Sequence, residues 1–332
     1  MTVRPPPGVP LPEIVTVANR DLIDEAADLR AALEDFGNNP QPGCPWLRDD
    51  AAVSVQAGPE AQGRATLLLH TRHQATLISA NAYDHLVTLG RVLGGDGAMP
   101  LFSHQSVSRV VCEAAVRFAW LMDPEISSEE RIVRGAALLY DSADQRLKGV
   151  QRLSAQDLGQ QVFQALLDNC TAELNEAEKL ITGAGLTFGY SRDGKRRSRL
   201  EFASANVSVP LQLIVTELMA GLLIESPSWY NIGSSVAHSS YWGLREVSKS
   251  RPDGPMELRP RVLDAGAAAE SAISASALIM DRWGRCFGHD PSARVQRSRE
   301  RREAIDALMV RATRSGWVYI PTEPPGHESS AR

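Results

Sequence analysis

The sequence predicts an all-α fold, a multi-helix bundle of about nine helices with a C-terminal helical hairpin. Three observations predict it. Apolar residues recur at helical spacing, as in Leu11, Val15, Ala18, Leu22, Leu29, Leu33 and Phe36. Helix start and stop signals fall where that spacing breaks: Ser127 with Glu130 forms a capping box, and Gly94-Gly95 closes a long helical stretch. No internal repeat and no alternating β pattern is present.

Residues 1–10 read as a mobile, proline-rich lead, and 11–36 as an amphipathic helix ended by Gly37 and Pro40. Residues 38–58 read as a loop with one anchor, Trp46. Helices follow at 59–93, 101–122, 128–150 and, behind the capping residue Ser154, at 155–183. The stretch 187–201 is different: Phe188, Tyr190, Asp193-Gly194 and Lys195-Arg196-Arg197 suggest a small hairpin or an exposed basic loop. Two further helices are expected at 208–224 and 228–248, broken at Pro227, then a linker at 250–260. Helices at 261–286 and 292–314 finish the fold, and the tail from Pro321 reads as disordered. The division expected is a helix and linker over 1–58, a core bundle over 59–250, and the hairpin and tail over 251–332.

Composition narrows the function. The chain of 332 residues is 43% hydrophobic and 23% charged, ordinary for a globular protein. A net charge of −5 argues against a chain that is mainly a nucleic-acid or membrane binder. Arginine outnumbers lysine 31 to 4, and alanine is abundant, as in proteins of GC-rich genomes such as those of actinobacteria. Cys44, Cys112, Cys170 and Cys286 form no CxxC pair and no disulfide spacing, so reduced thiols in a cytoplasmic protein are expected. No apolar signal segment opens the chain, and no apolar run is long enough for a transmembrane helix. Neither GxGxxG nor GxxxxGK[ST] occurs, so nucleotide folds have no support, and no cofactor is implied.

The segment from Ser103 to Arg134 carries the most information. Arg109, Glu113 and Arg117 follow one another at i, i+4 steps on a helix that is otherwise apolar almost all round. Glu113 can therefore bridge both arginines, and the trio carries one net positive charge. Buried charges must be paired. Either a further acid closes the network, with Asp84, Asp141 and Asp144 as candidates, or the arginines form an anion pocket for phosphate or carboxylate. Arg131 and Arg134, on the next helix, are candidate members of that pocket.

A second candidate is the helix around Tyr230, Ser234, Ser235 and His238, where hydroxyls and a histidine share adjoining stripes. Gly233, Ala237 and Gly243 allow another helix to approach closely. His238 is either a hydrogen-bonded core histidine or a proton donor and acceptor to a ligand. A Ser234–His238 nucleophile pair is disfavoured, because a mid-helix serine bonds its own preceding turn. His70 and His73 form an HxxH pair, but no third metal ligand stands nearby, and Asp84 lies roughly 16 Å further along the helix. No metal site is therefore expected. Two basic segments are each either solvated surface or a nucleic-acid contact. One holds Arg192, Lys195, Arg196, Arg197 and Arg199, beside Phe188 and Tyr190; the other holds Arg294, Arg297, Arg299, Arg301 and Arg302.

Across residues 59–248, the chain resembles uncharacterised helical proteins of actinobacteria and, more broadly, the HEPN-like superfamily of helical bundles. The resemblance rests on Arg109, Glu113, Arg117, Trp120, Asp123, Pro124, Arg131, Arg134, Tyr230, Ser234, Ser235 and His238. It implies an RNA-associated stress or defence protein, and a ribonuclease where an R-x(4–6)-H motif polarises the RNA backbone. Arg64 to His70 and Arg282 to His289 match that spacing, but arginine is so abundant that about two matches arise by chance. On this reading His238, Arg117 and Glu113 form the catalytic group, with Arg109, Arg131, Arg134, Tyr230, Ser234 and Ser235 binding the ligand. Two other readings stay open: a small-molecule enzyme or sensor with an arginine-lined anion pocket, and a non-catalytic interaction module. The partners expected are RNA or an anionic small molecule, no membrane, and a second copy of the chain in a homodimer.

Overall fold

The computed structural model describes residues 2–3, 12–94, 99–223, 227–240, 244, 248–249, 257–258 and 260–315. The expected proline-rich lead, the 250–260 linker and the tail from Pro321 lie wholly or largely outside the described residues. The chain is predominantly all-α, with eleven helices among the described residues. They are α1 Glu13–Asn38, α2 Pro45–Ser54, α3 Pro59–Gly94, α4 Ser103–Leu121, α5 Ser128–Gln151, α6 Ala155–Leu158, α7 Gln160–Gly183, α8 Val215–Leu222, α9 Pro227–Ala237, α10 Val262–Cys286 and α11 Ser292–Arg314. The short strands are β1 Thr2–Val3, β2 Met99–Pro100, β3 Thr187–Tyr190, β4 Arg197–Phe202, β5 Val207–Pro210, β6 Ser248–Lys249 and β7 Glu257–Leu258.

Four expectations need correction. Residues 38–58 are not simply a loop: Pro45 sits at the first position of α2, where its missing N–H costs nothing. The expected anchor Trp46 stacks on Phe287 at 4.5 Å and meets Trp283 edge-on. The helix expected over 155–183 splits at Gly159, whose φ of +79° breaks the helical run. The basic hairpin gains a third strand, giving the antiparallel order β3-β4-β5. That strand takes the start of the helix expected at 208–224, which begins only at Val215. The helix expected at 228–248 is α9; Ser239 turns out of it with φ +54°, and most of its predicted continuation lies outside the described residues.

Two apolar clusters organise the packing. One joins α1, α3, α4, α10 and α11 through residues such as Leu22, Leu29, Leu86, Phe118, Ile273 and Ile305. The other joins α3, α5, the end of α7 and the three-stranded sheet through Leu67, Ile132, Ile181, Leu200 and Phe202. Trp120 packs against both. The helix α10 is long and apolar enough to cross a membrane, yet 67% of its most apolar window is buried within the bundle, as befits a core helix.

The helix α4 is central to the larger cluster. One polar stripe of it is fastened to α10: Gln105 donates to Asp264 at 3.2 Å, Ser108 to the Ala268 carbonyl at 2.8 Å, and the Cys112 thiol to the Ser271 carbonyl at 3.5 Å. Another face packs on α3. The strip left over carries the charged residues singled out above. The first and last long helices are also joined. From α11, Arg294 pairs with Asp35, Arg297 with Asp28, and Arg301 with Glu25 and Asp28, all on α1.

Candidate functional site

On α4, Glu113 lies between the two arginines, 3.6 Å from Arg109 Nη2 and 3.3 Å from Arg117 Nη2. The three side chains are half-buried, at 19%, 28% and 32% exposure from Arg109 to Arg117. They thus lie at a boundary with solvent, where an ion pair is screened and weak. None of the three acids considered from sequence pairs with Arg117 among the described residues. Asp141 faces Gln145, Asp144 holds Lys148, and Asp84 is exposed.

The helix α9 does lean on α4. A Cβ on Gly233 would lie 2.9 Å from the Gln105 carbonyl oxygen and 3.1 Å from Arg109 Cβ, so glycine is what permits this approach. Ser235 is buried and donates to its own helix at the Ile232 carbonyl, 2.7 Å away. Ser234 is half-buried, and its carbonyl accepts from the His238 backbone N–H at 3.0 Å. The His238 side chain is exposed at the end of α9, so it is no core histidine. The Tyr230 side chain lies outside the described residues.

Arg131 and Arg134 sit elsewhere, at the C-terminus of α4. A helix end leaves carbonyls without intrahelical partners, and these two arginines supply donors. Arg131 is buried; its Nη1 donates to the Leu121 carbonyl at 3.1 Å and its Nη2 to the Asp123 carbonyl at 2.9 Å. Its Nε lies 2.8 Å from Asp49 Oδ2, and the other Asp49 oxygen accepts from Ser128 at 2.7 Å. Arg134 donates to the Trp120 carbonyl, pairs with Glu130 at 2.5 Å and lies over the Trp120 ring at 4.9 Å. Both arginines are occupied in holding α4 to α5 and α2.

The remaining histidines are dispersed, and the thiols are buried. His70 and His73 are exposed, and no group of three metal-ligating side chains forms among the described residues. Arg64 is held by Glu60, Gln56 and the Ala184 carbonyl, while His70 lines a groove with Arg146 and Glu173. Arg282 faces Asp123, whereas His289 stacks on Phe36. All four cysteines are free and buried, and burial pushes the Cys112 and Cys286 thiols up to about 12. One histidine not singled out from sequence is fully buried: His104, with neither ring nitrogen in a well-formed hydrogen bond. Burial lowers it to about 4, with the Pro100 carbonyl pulling weakly the other way.

The basic segments have different fates. In the C-terminal one, Arg294, Arg297 and Arg301 are bound to α1, leaving Arg299 exposed on the solvent face. The hairpin segment borders a polar cleft of about 770 Å³ between α5 and the β3–β4 hairpin. Lys148 and Arg152 line it from α5, and Arg196 and Arg197 from the hairpin, with Tyr140, Asp141 and Asp144 between. The Arg197 guanidinium lies 4.3 Å from the Phe188 ring, donates to Tyr140 at 3.2 Å and pairs with Glu178, which keeps it firmly charged. Lys148 pairs with Asp144 at 2.5 Å. Arg152, Arg192, Lys195 and Arg196 are exposed and form no ion pair among the described residues. Tyr190 stands at 51% exposure on the same hairpin.

Sequence reading singled out the hairpin half of this cleft and missed the α5 half. Lys148 and Arg152 look like ordinary solvent-facing charges at i, i+4. Only the path of the chain, which brings β4 and β5 onto α5, sets them opposite Arg196. Comparison with protein-family models, with curated proteins and with solved structures yields no match to this chain.

Proposed function

We propose that the protein binds RNA through the cleft between α5 and the β3–β4 hairpin, as an RNA-associated helical protein. The observation that carries this reading is the convergence of Lys148 and Arg152 from one wall with Arg196 and Arg197 from the other. Cations on both walls suit a phosphate backbone running between them, and the exposed Tyr190 offers a ring on which an unpaired base can stack.

The proposal is of binding, and neither R-x(4–6)-H match adds support for cleavage. In each R-x(4–6)-H match the arginine is tied into contacts of its own, and the histidine faces other residues. The test is fluorescence anisotropy with a labelled single-stranded RNA at low salt. Binding should weaken steeply as salt rises, because each neutralised phosphate releases counterions. Arg196→Glu should reduce affinity by about tenfold or more, since it replaces an attraction with a repulsion in the groove. Arg299→Glu, in the other basic segment, should leave it unchanged. No binding by the wild-type protein at low salt refutes the proposal.

A further inference from the structure

The hairpin formed by the end of α5, by α6 and by the first half of α7 carries a run of large apolar residues that the described residues leave unburied. Between Leu153 and Leu167 stand six large apolar residues: Leu153, Leu158, Val162, Phe163, Leu166 and Leu167. None of them is buried, and the first three are 47%, 37% and 53% exposed. The buried residues of α7 are Cys170, Ala177 and Ile181, all further along the helix. The α3 backbone abuts this unit at the other end of α7, where Gly63 meets Ala184. Beyond the Arg146–Glu173 bridge, α7 runs a further 20 Å or so back to Gln160 at ~1.5 Å per residue. On that arm Val162 is exposed and Phe163, Leu166 and Leu167 are only half-buried.

Apolar side chains concentrated on one exposed element mark an interaction surface. The charge pattern selects the partner. Residues 149–169 carry only Arg152, Asp157 and Asp168; the remaining polar positions are uncharged, chiefly glutamine. Such a surface fits neither a strongly acidic nor a strongly basic partner, and charge-poor surfaces typify the centres of homodimer interfaces. It is also self-complementary. Arg152 and Asp157 are exposed and form no ion pair among the described residues; Arg152 precedes Leu153 and Asp157 precedes Leu158. A two-fold axis makes residue i of one copy meet residue j of the other, and j meet i. It can thus set each Arg152 against the other copy's Asp157 while the apolar residues close over one another.

We propose that this arm is a homodimer interface, in which Leu158, Val162 and Leu166 of two copies pack together and Arg152 faces Asp157 of the other copy. Because Arg152 also borders the cleft, the two clefts of the dimer would lie at either side of the joined arms. The dimer is argued from the arm alone; with Arg152 engaged by the other copy, Lys148, Arg196 and Arg197 remain as the cations of the cleft.

The experiment is sedimentation velocity of the full chain over a wide concentration range. The wild type should sediment as a dimer at the upper end. Val162→Glu should give a monomer with unchanged helical circular dichroism, its side chain being exposed. Asp157→Arg should also weaken the dimer by setting two arginines together, and adding Arg152→Asp to it should restore the dimer. A wild type that is monomeric throughout, a Val162→Glu variant that stays dimeric, or a charge exchange that fails to restore association would each overturn the proposal.

Discussion

Asp49 and Arg131 form a buried ion pair, Oδ2 to Nε 2.8 Å, with their side chains 5% and 2% exposed. It joins α2 to α5 while the same guanidinium closes the end of α4. Burying such a pair is costly, and breaking it by removing one partner leaves a charge stranded away from water. Asp49→Ala should therefore destabilise the fold by about 3–5 kcal/mol. Urea unfolding followed by circular dichroism measures this. A midpoint close to the wild type's would show that Arg131 is content with the carbonyls alone.

The buried His104 makes stability depend on pH. Its folded-state value of about 4 lies below the ordinary 6.5, so the unfolded chain takes up the proton first. Its effect is absent well above pH 6.5; destabilisation grows as the pH falls from 6.5 towards 4 and levels off below that. A tenfold difference in proton affinity between the folded and unfolded chain is worth about 1.4 kcal/mol, which makes the full loss roughly 3 kcal/mol. His104→Leu should remove this part of the acid sensitivity while leaving other titrating groups in place. Unfolding midpoints of the two proteins, compared at neutral and at mildly acidic pH, should move in the variant's favour as the pH falls. A difference between them that stays the same at both pH values refutes the argument.

The α1–α11 contacts should differ sharply in worth. Glu25 has no exposed surface and meets Arg301 at 2.6 Å and Ser298 at 2.7 Å; burial pushes its carboxyl up, and these partners pull it back. Arg301→Met leaves Glu25 buried without its cation and should cost about 3 kcal/mol or more. Arg297, 44% exposed in its pair with Asp28, should cost less than about 1 kcal/mol when changed to alanine. Thermal melts of the two variants side by side decide the matter, and equal losses would count against this account.

The two ends of the Arg109–Glu113–Arg117 row offer another contrast. Arg117→Ala removes a half-exposed pairing and should change stability by less than about 1 kcal/mol. Gly233→Val pushes new atoms into the Gln105 carbonyl and the Arg109 stem and should cost about 1–3 kcal/mol. Hydrogen exchange should show the added opening confined to α9 and the facing turns of α4. Protection lost evenly through the bundle would mean that α9 is not held by this contact.

The features legible in sequence were local. Apolar spacing located α1, α3, α4, α5, α10 and α11 within a few residues. The Ser127 cap is present as expected, its hydroxyl accepting from the Glu130 N–H at 3.1 Å. The side chain of Glu130 turns instead to Arg134, its neighbour one turn on along the same helix. The charged row on α4 was visible as an anomaly, and its internal bridge through Glu113 follows from helix geometry alone. Nothing local could reveal that Arg131 caps the preceding helix, or that α11 arginines reach α1. Both depend on contacts between segments far apart in sequence. Ten-residue α2, with only Asp49 and Val53 buried, offered too short a pattern to stand out from a loop. The strand β5 was hidden in an apolar stretch whose helical and extended readings differ little until Pro210 is weighed.

The bond from Ser298 to Glu25 spans 273 positions of the chain. A ribosome making this protein therefore releases α1 long before the helix that completes its environment exists. Until those 273 positions have been made, the acidic face of α1 has only water for company. Contacts of such separation also slow folding, because the loop must close before any gain is realised. The last helix is then less an appendage than the closing step of assembly, and a chain that stops short of α11 emerges with its first helix unfinished.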